Sequence, residues 1–169
     1  MKTPICNFDA KTGTLCNKCD SRLKLGHITD GDVQASIKMA KLAQKNQDID
    51  KFTLVAAHNI DDEIILFLKN SDITLIRSDQ KILDLIKKEF DNKVWFVESG
   101  ASDKRFLENM LFPLKISLMN MVWLPDGNKL TKIIVSNQSK LELQAKKIQN
   151  IAKKIKNIEV IIEFGDNNS

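Results

Sequence analysis

The chain has 169 residues, which is enough for one compact domain or two small ones. Hydrophobic residues make up 43% of it, as in globular proteins, and it contains no run of about 18 apolar residues that would cross a membrane. The net charge of +4 is mild, so the distribution of charge matters more than its sum. The first residues lack an apolar core of signal-peptide length, and we therefore expect a cytoplasmic location.

All three cysteines lie within the first 19 residues. An odd number of thiols crowded at one end argues against a disulfide framework and favours metal binding, the alternative being three reduced thiols without a metal. The motif is Cys6-x2-Asp9, then Cys16-x2-Cys19. Two pairs of ligand-capable residues, each separated by two residues, predict a tetrahedral zinc knuckle with a structural role. Asp9 is the preferred fourth ligand and His27 is the alternative.

The next segment predicts a helix followed by a β-hairpin. Thr29 and Asp32 have the spacing of a capping box, so the helix should begin there and continue to about Lys45. Its inner face should carry Val33, Ile37 and Ala40. The hairpin consists of strands over 52–60 and 63–68, joined by an acidic turn.

Residues 73–97 predict an extended segment, a loop, a helix and a strand. The extended segment is 73–76, where the residues are β-branched or apolar, and the polar loop is 77–80. Apolar residues then recur at helical spacing, at Ile82, Leu85, Ile86 and Phe90. The strand over 94–97 contains Trp95, which we expect to pack in a core or an interface, as we do Trp123.

The second half predicts the same order of elements. Ser102 should cap a short helix that ends before Pro113. The elements after it are a strand over 119–124, an Asp-Gly turn at 125–128, a strand over 130–135, a long helix from Asn137 or Ser139, and a strand over 158–164. Residues 52–98 and 119–164 therefore have the same predicted order of elements, a hairpin, a helix and a strand. This repetition indicates an internal duplication in an α+β protein.

Three parts of the sequence resemble a known family. They are the PIC…DAKTGTLCNKC start, the stretch LIRSDQKILDLIKKEF and the hairpin MVWLPDG. Together they resemble archaeal proteins similar to the transcription elongation factor NusA, in which a zinc-binding segment precedes K-homology (KH) domains. The resemblance covers roughly residues 4–164. It implies a zinc knuckle over 1–28, a first KH-like ββαβ module with its leading helix over 29–112, and a second over 113–169.

In that family the loop before the central helix is Gly-x-x-Gly, which clamps the backbone of single-stranded nucleic acid. Arg77 and Gln80 stand at the positions of the two glycines here, and residues 136–139 of the second module also lack them. Asp9 stands where the family usually has a cysteine. Larger side chains obstruct the approach of phosphates to the backbone, so contact would have to come from side chains.

The distribution of lysine offers such contacts. Residues 129–156 contain eight lysines and one acid, Glu142. A positive surface attracts phosphates without reading bases, although a lysine-rich helix face is also often only solvated. The candidate nucleic-acid-binding residues are Arg77, Lys81, Lys146, Lys147, Lys153 and Lys154.

The sequence carries no Ser/His/Asp arrangement, no P-loop and no zinc-protease motif, so an enzyme is not expected. The first hypothesis is an RNA-associated accessory protein with a structural zinc ion. The resemblance assigns it to transcription elongation or termination, with weak binding to single-stranded RNA. The second hypothesis is a protein-interaction adaptor that docks on RNA polymerase or another ribonucleoprotein and no longer binds RNA.

Overall fold

The computed structural model describes residues 1–136 and 142–165, and it is an α+β structure. In those ranges the helices are α1 (Asn7–Thr12), α2 (Asn17–Lys24), α3 (Asp30–Ala43), α4 (Gln47–Asp50), α5 (Asn70–Ser78), α6 (Gln80–Glu89), α7 (Asp103–Leu111) and α8 (Glu142–Lys156). The strands are β1 (Leu54–Ile60), β2 (Glu63–Leu68), β3 (Val94–Glu98), β4 (Ile116–Trp123), β5 (Lys129–Ser136) and β6 (Ile158–Gly165). None of these helices has the length and apolar character needed to cross a membrane.

The chain divides into two compact units, Met1–Gly100 and Ala101–Ser169. Each unit contains one three-stranded sheet, and the two sheets are built in the same way. β1-β2-β3 and β4-β5-β6 each have the first hairpin antiparallel and the third strand parallel to the second. The predicted boundary after residue 28 falls inside the first unit, and the boundary after 112 falls inside the second.

The core of the first unit lies between its sheet and its longer helices. Central strand β2 is almost continuously apolar and buried, as expected for a strand that is covered on both faces. Ile64, Leu66 and Leu68 belong to one buried cluster with side chains of α3 and α6, including Met39 and Ile86. The predicted hairpin, central helix and closing strand are present as β1–β2, α6 and β3, and α6 contributes to this cluster.

Helix α3 begins with the predicted capping box and is attached by it to β1. Thr29 and Asp32 cap each other reciprocally. The Oδ2 atom of Asp32 accepts from the backbone N–H of Thr29 at 2.8 Å, and its Oδ1 atom accepts from the N–H of Ala57 in β1 at 2.6 Å. Gly31 permits this approach, since a Cβ atom there would lie 2.7 Å from the carbonyl oxygen of Ala57. The helix ends at Ala43, two residues before the predicted Lys45.

The predicted extended segment 73–76 is wrong, because these residues are helical and belong to α5. The predicted loop 77–80 is also wrong, since Asp79 alone separates α5 from α6. Ile73 and Ile76 are both buried, and their spacing of three residues places them on one helix face. Burial against the core therefore outweighs the strand preference of β-branched residues.

The second unit packs α8 on its sheet. Ile148, Ile151 and Ala152 of the helix are buried, as are Ile133 and Ile158 of the sheet. Ser102 caps α7 as predicted, by accepting from the N–H of Arg105 at 3.3 Å. The predicted helix starts at 137 and 139 and most of the loop 136–139 lie outside the described residues.

Candidate metal centre and candidate nucleic-acid interface

Each of the two ligand pairs lies at the start of a helix. Cys6 is the N-cap of α1 and Cys16 is the N-cap of α2. Asp9 and Cys19 are the third residues of these helices. N-cap and third-position side chains meet over a helix start, so the x2 spacing directs both members of a pair to one point. The thiol of Cys6 accepts from the N–H of Asp9, and the thiol of Cys19 accepts from the N–H of Cys6, both at 3.5 Å.

The structure brings the four predicted ligands together. One ligand atom from each of Cys6, Asp9, Cys16 and Cys19 lies within 4.8 Å of the others. Sulfur ligands at the Zn–S distance in a tetrahedral site are separated by about 3.8 Å, so only a small contraction is needed. His27 is not a member of this group, which favours Asp9 as the fourth ligand. The cluster could hold a metal ion.

The two carboxylate oxygens of Asp9 have different surroundings. Its Oδ2 atom accepts from the N–H of Cys16 at 3.0 Å, whereas its Oδ1 atom is buried without a hydrogen-bond partner. A buried unpaired oxygen is costly unless it has a ligand, so Oδ1 is placed to bind a cation while Oδ2 fixes the orientation. Burial raises the pKa of Asp9, but the hydrogen bond from Cys16 and the neighbouring thiols outweigh it and lower the pKa to about 2. The carboxyl group is therefore ionised, as a metal ligand must be.

The buried thiol of Cys19 needs a cation to become a thiolate ligand. Burial, with the neighbouring carboxyl and thiol groups, raises the pKa of Cys19 to about 11, despite an opposing hydrogen bond from Cys6. A bound divalent cation reverses this tendency and deprotonates the thiol. The donor set of three thiols and one carboxylate thus fits a thiolate-binding metal. A metal ion bound by these four residues would cross-link the two helix starts.

An apolar cluster anchors the metal segment to α3. Ile5, Ala10 and Cys19 are buried together with Ile28 and with Ala40 of α3. The residues predicted for the inner face of α3, including Val33 and Ile37, pack partly buried against this cluster, and other residues of α3 face the sheet. Helix α3 therefore has two buried sides, and only one of them was predicted.

Four predicted nucleic-acid-binding lysines share one exposed face of α8. We call Lys146, Lys147, Lys153 and Lys154 the lysine face, and all four are exposed. Lys146 and Lys153 are seven residues apart, as are Lys147 and Lys154, so each pair is separated by two helical turns and lies on the same side of α8. The buried residues of α8 lie on the other side. Lys153 is partly neutralised, because it forms an ion pair with Glu159 at 3.1 Å.

The α5–α6 junction contains the other two predicted residues, Arg77 and Lys81. Lys81 is exposed and Arg77 is half-buried. The carboxylate of Asp79 accepts from the N–H groups of Lys81 and Ile82 at 2.9 and 3.3 Å, so it occupies the N-terminus of α6. A phosphate would have to displace a like charge there. The Asp79 cap was missed in the sequence, although aspartate before a helical pattern is a recognised signal.

An open groove of about 700 Å³ adjoins this junction. Its lining mixes acidic, basic and apolar side chains: Asp48, Lys51, Phe52, Leu75, Ser78, Asp79, Gln80, Lys81 and Ile82. Lys51 is already paired with Asp48 at 2.9 Å. The groove therefore lacks the concentration of positive charge that the lysine face of α8 has.

No protein-family model matches the chain, and no curated protein matches it. Among solved structures, the crystal structure of APE1850 is similar, with a TM-score of 0.52 and 15% sequence identity. The similarity covers 75% of this chain and 95% of that chain. At this identity, the likeness concerns the fold alone.

Proposed function

We propose that this protein is a non-catalytic, cytoplasmic RNA-associated accessory protein. In this proposal it binds single-stranded RNA weakly through the lysine face of α8, and a structural zinc ion holds its N-terminal segment. The observation that carries the proposal is the exposure of four lysines on one side of a helix whose other side is buried. Such a surface attracts a phosphate backbone with little preference for sequence.

The resemblance to NusA-like proteins gives the proposal its biological setting, in transcription elongation or termination. Two features of the fold support it. A segment able to hold a metal precedes the first sheet. Two mixed sheets of the same order and pairing follow it, as expected for two KH-like ββαβ modules.

Zinc is the proposed metal because three thiolates and one carboxylate suit its tetrahedral preference. The thiols also favour a reducing compartment, in which they are available as ligands. The site would be structural: all four ligands come from the protein, so no coordination position is left for a substrate.

The test is charge reversal of the lysine face. Changing its four lysines to glutamate should lower the affinity for a short single-stranded RNA at least tenfold, measured by fluorescence anisotropy at low salt. The matched control makes the same change at four exposed lysines elsewhere: Lys45, Lys69, Lys88 and Lys104. An equal loss of RNA affinity in both variants would mean that only the net charge of the protein matters. An unchanged affinity in the first variant would mean that α8 does not bind RNA.

The Asp79 cap favours a second candidate, a protein-interaction adaptor. A carboxylate at the N-terminus of α6 takes the N–H donors that a nucleic-acid backbone would use. Side chains at positions 77 and 80 add to the obstruction. In this candidate the KH-like units dock on RNA polymerase or another ribonucleoprotein.

Restoring the glycines separates the two candidates. A variant with Arg77→Gly, Gln80→Gly and Asp79→Asn keeps a capping side chain but removes the charge and the bulk. A large gain in RNA affinity would mean that the groove still accepts nucleic acid and only its loop has changed. An unchanged low affinity, together with loss of RNA polymerase capture on altering the same junction, would favour the adaptor.

A further inference from the structure

Strand β4 has an outer edge that no described residue pairs with, because its sheet is ordered β4-β5-β6. The strand, Ile116–Trp123, contains no charged residue and no proline. Natural sheets usually protect such an edge with charges, prolines or a covering element, because its free N–H and C=O groups can pair with another chain. The pairing of β4 with β5 shifts register between Ile116 and Leu118, so the regular part of this uncharged edge is 118–123. Those six residues are suited to accept a further strand.

Exposed apolar side chains lie on both faces of this edge. Met121 stands opposite the buried Thr131, so it shares the face that α8 covers, and Trp123 lies on the same side. Leu118 and Val122 lie on the other face. These four residues are between 44% and 69% exposed, and Trp123 is the most exposed of them. A partner that packs on one face of the sheet would cover only two of these four side chains. An added strand would contact the side chains on both faces and pair with the backbone edge as well.

We propose that the occupant is the β4 strand of a second copy of this chain, paired antiparallel about a two-fold axis at Asn120. In that register a residue that follows Asn120 by a given number of positions faces the residue of the other copy that precedes Asn120 by the same number. Facing side chains therefore lie on the same face of the sheet. Leu118 then faces Val122 of the other copy, and Met119 faces Met121. The side-chain amides of Asn120 from both copies meet at the axis and can hydrogen-bond to each other.

The absence of charge on β4 makes a second copy a better occupant than nucleic acid, which needs positive charge along its path. It also avoids the like-charge repulsion that a charged residue at a two-fold axis would create, because the residue at the axis meets its own copy. The result is a six-stranded sheet across two chains. One strand gives a smaller contact than a standard interface, so the dimer should depend on protein concentration.

The test is sedimentation equilibrium of the full chain over a range of concentrations. The account expects a concentration-dependent species of twice the 19.2 kDa chain mass. Asn120→Lys places two like charges at the axis and should raise the dissociation constant at least tenfold. The matched control is Ile161→Lys on β6, an exposed apolar position on the opposite edge of the same sheet, and it should leave the dimer unchanged.

A cross-linking variant gives a second measurement in case Asn120→Lys does not fold. Facing residues in an antiparallel pair have Cα atoms about 4.5 to 5.5 Å apart, within the range of a disulfide. Asn120→Cys should therefore form a covalent dimer with oxidised glutathione, while Ile161→Cys and the unaltered chain should not. A monomer at every concentration, a dimer insensitive to Asn120→Lys, or equal cross-linking in both cysteine variants would overturn the proposal.

Discussion

Replacing Asp32 with asparagine should destabilise the first unit by about 3 kcal/mol. Asp32 is 6% exposed, and each of its carboxylate oxygens accepts from a different backbone N–H group, those of Thr29 and Ala57. Asparagine has the same shape but only one acceptor oxygen, so its NH₂ group must face one of these donors. The variant loses a charge-assisted hydrogen bond, worth about 1.5–3 kcal/mol, and leaves a buried N–H unpaired, which costs about 1–3 kcal/mol.

The assay is urea unfolding followed by circular dichroism, with both proteins carrying the same amount of metal. In a separate thermal unfolding experiment, the melting temperature of the unit should fall by about 12 °C or more, at about 4 °C per kcal/mol. The control is Asp30→Asn, an exposed acid in the same helical turn, which loses the interaction with the helix dipole but no buried bond. Its cost should stay below about 1 kcal/mol. Equal effects of the two substitutions would refute the role given to the Asp32–Ala57 contact.

Two further predictions concern the metal centre and the β4–β5 hairpin. Asp9→Ala should lower the zinc content and metal affinity of the purified protein, measured by mass spectrometry and chelator competition, whereas His27→Ala should leave both unchanged; the reverse pattern would make His27 the ligand. The hydrogen bond from the backbone N–H of Asn128 at 3.0 Å, with help from its side chain, holds the pKa of Asp126 below its ordinary 3.8. Because the folded-state pKa is lowered, this carboxylate should stabilise the unit above pH 3.8 and lose that effect as the pH falls through the lowered value. An NMR titration midpoint at or above 3.8 for Asp126 would contradict this.

The structural features that were predicted correctly from the sequence depend on interactions between residues that are close along the chain. The pairing of Cys6 with Asp9 and of Cys16 with Cys19 follows from helix-start geometry, which acts over three residues. The capping box of α3 is local in the same sense. Such features do not need the rest of the chain to be known.

The parts that were missed depend on tertiary contacts. Residues 73–76 have strand preference by themselves, but the burial of Ile73 and Ile76 against the core makes them helical. Trp123 was expected in a core or an interface. It is 69% exposed within this chain, so it does not lie in the core, and its place in an interface stays a prediction. Its position on the edge of a sheet follows from the strand order, which periodicity does not determine.

The central claim is that RNA is bound through the lysine face, and its salt dependence tests it most directly. A short single-stranded RNA is titrated with the protein at several salt concentrations by fluorescence anisotropy. If the four lysines neutralise four phosphates, the logarithm of the association constant should fall against the logarithm of salt with a slope of about −3. Absence of binding at low salt, or a slope that charge reversal of the lysine face leaves unchanged, would contradict the account and turn attention to protein partners.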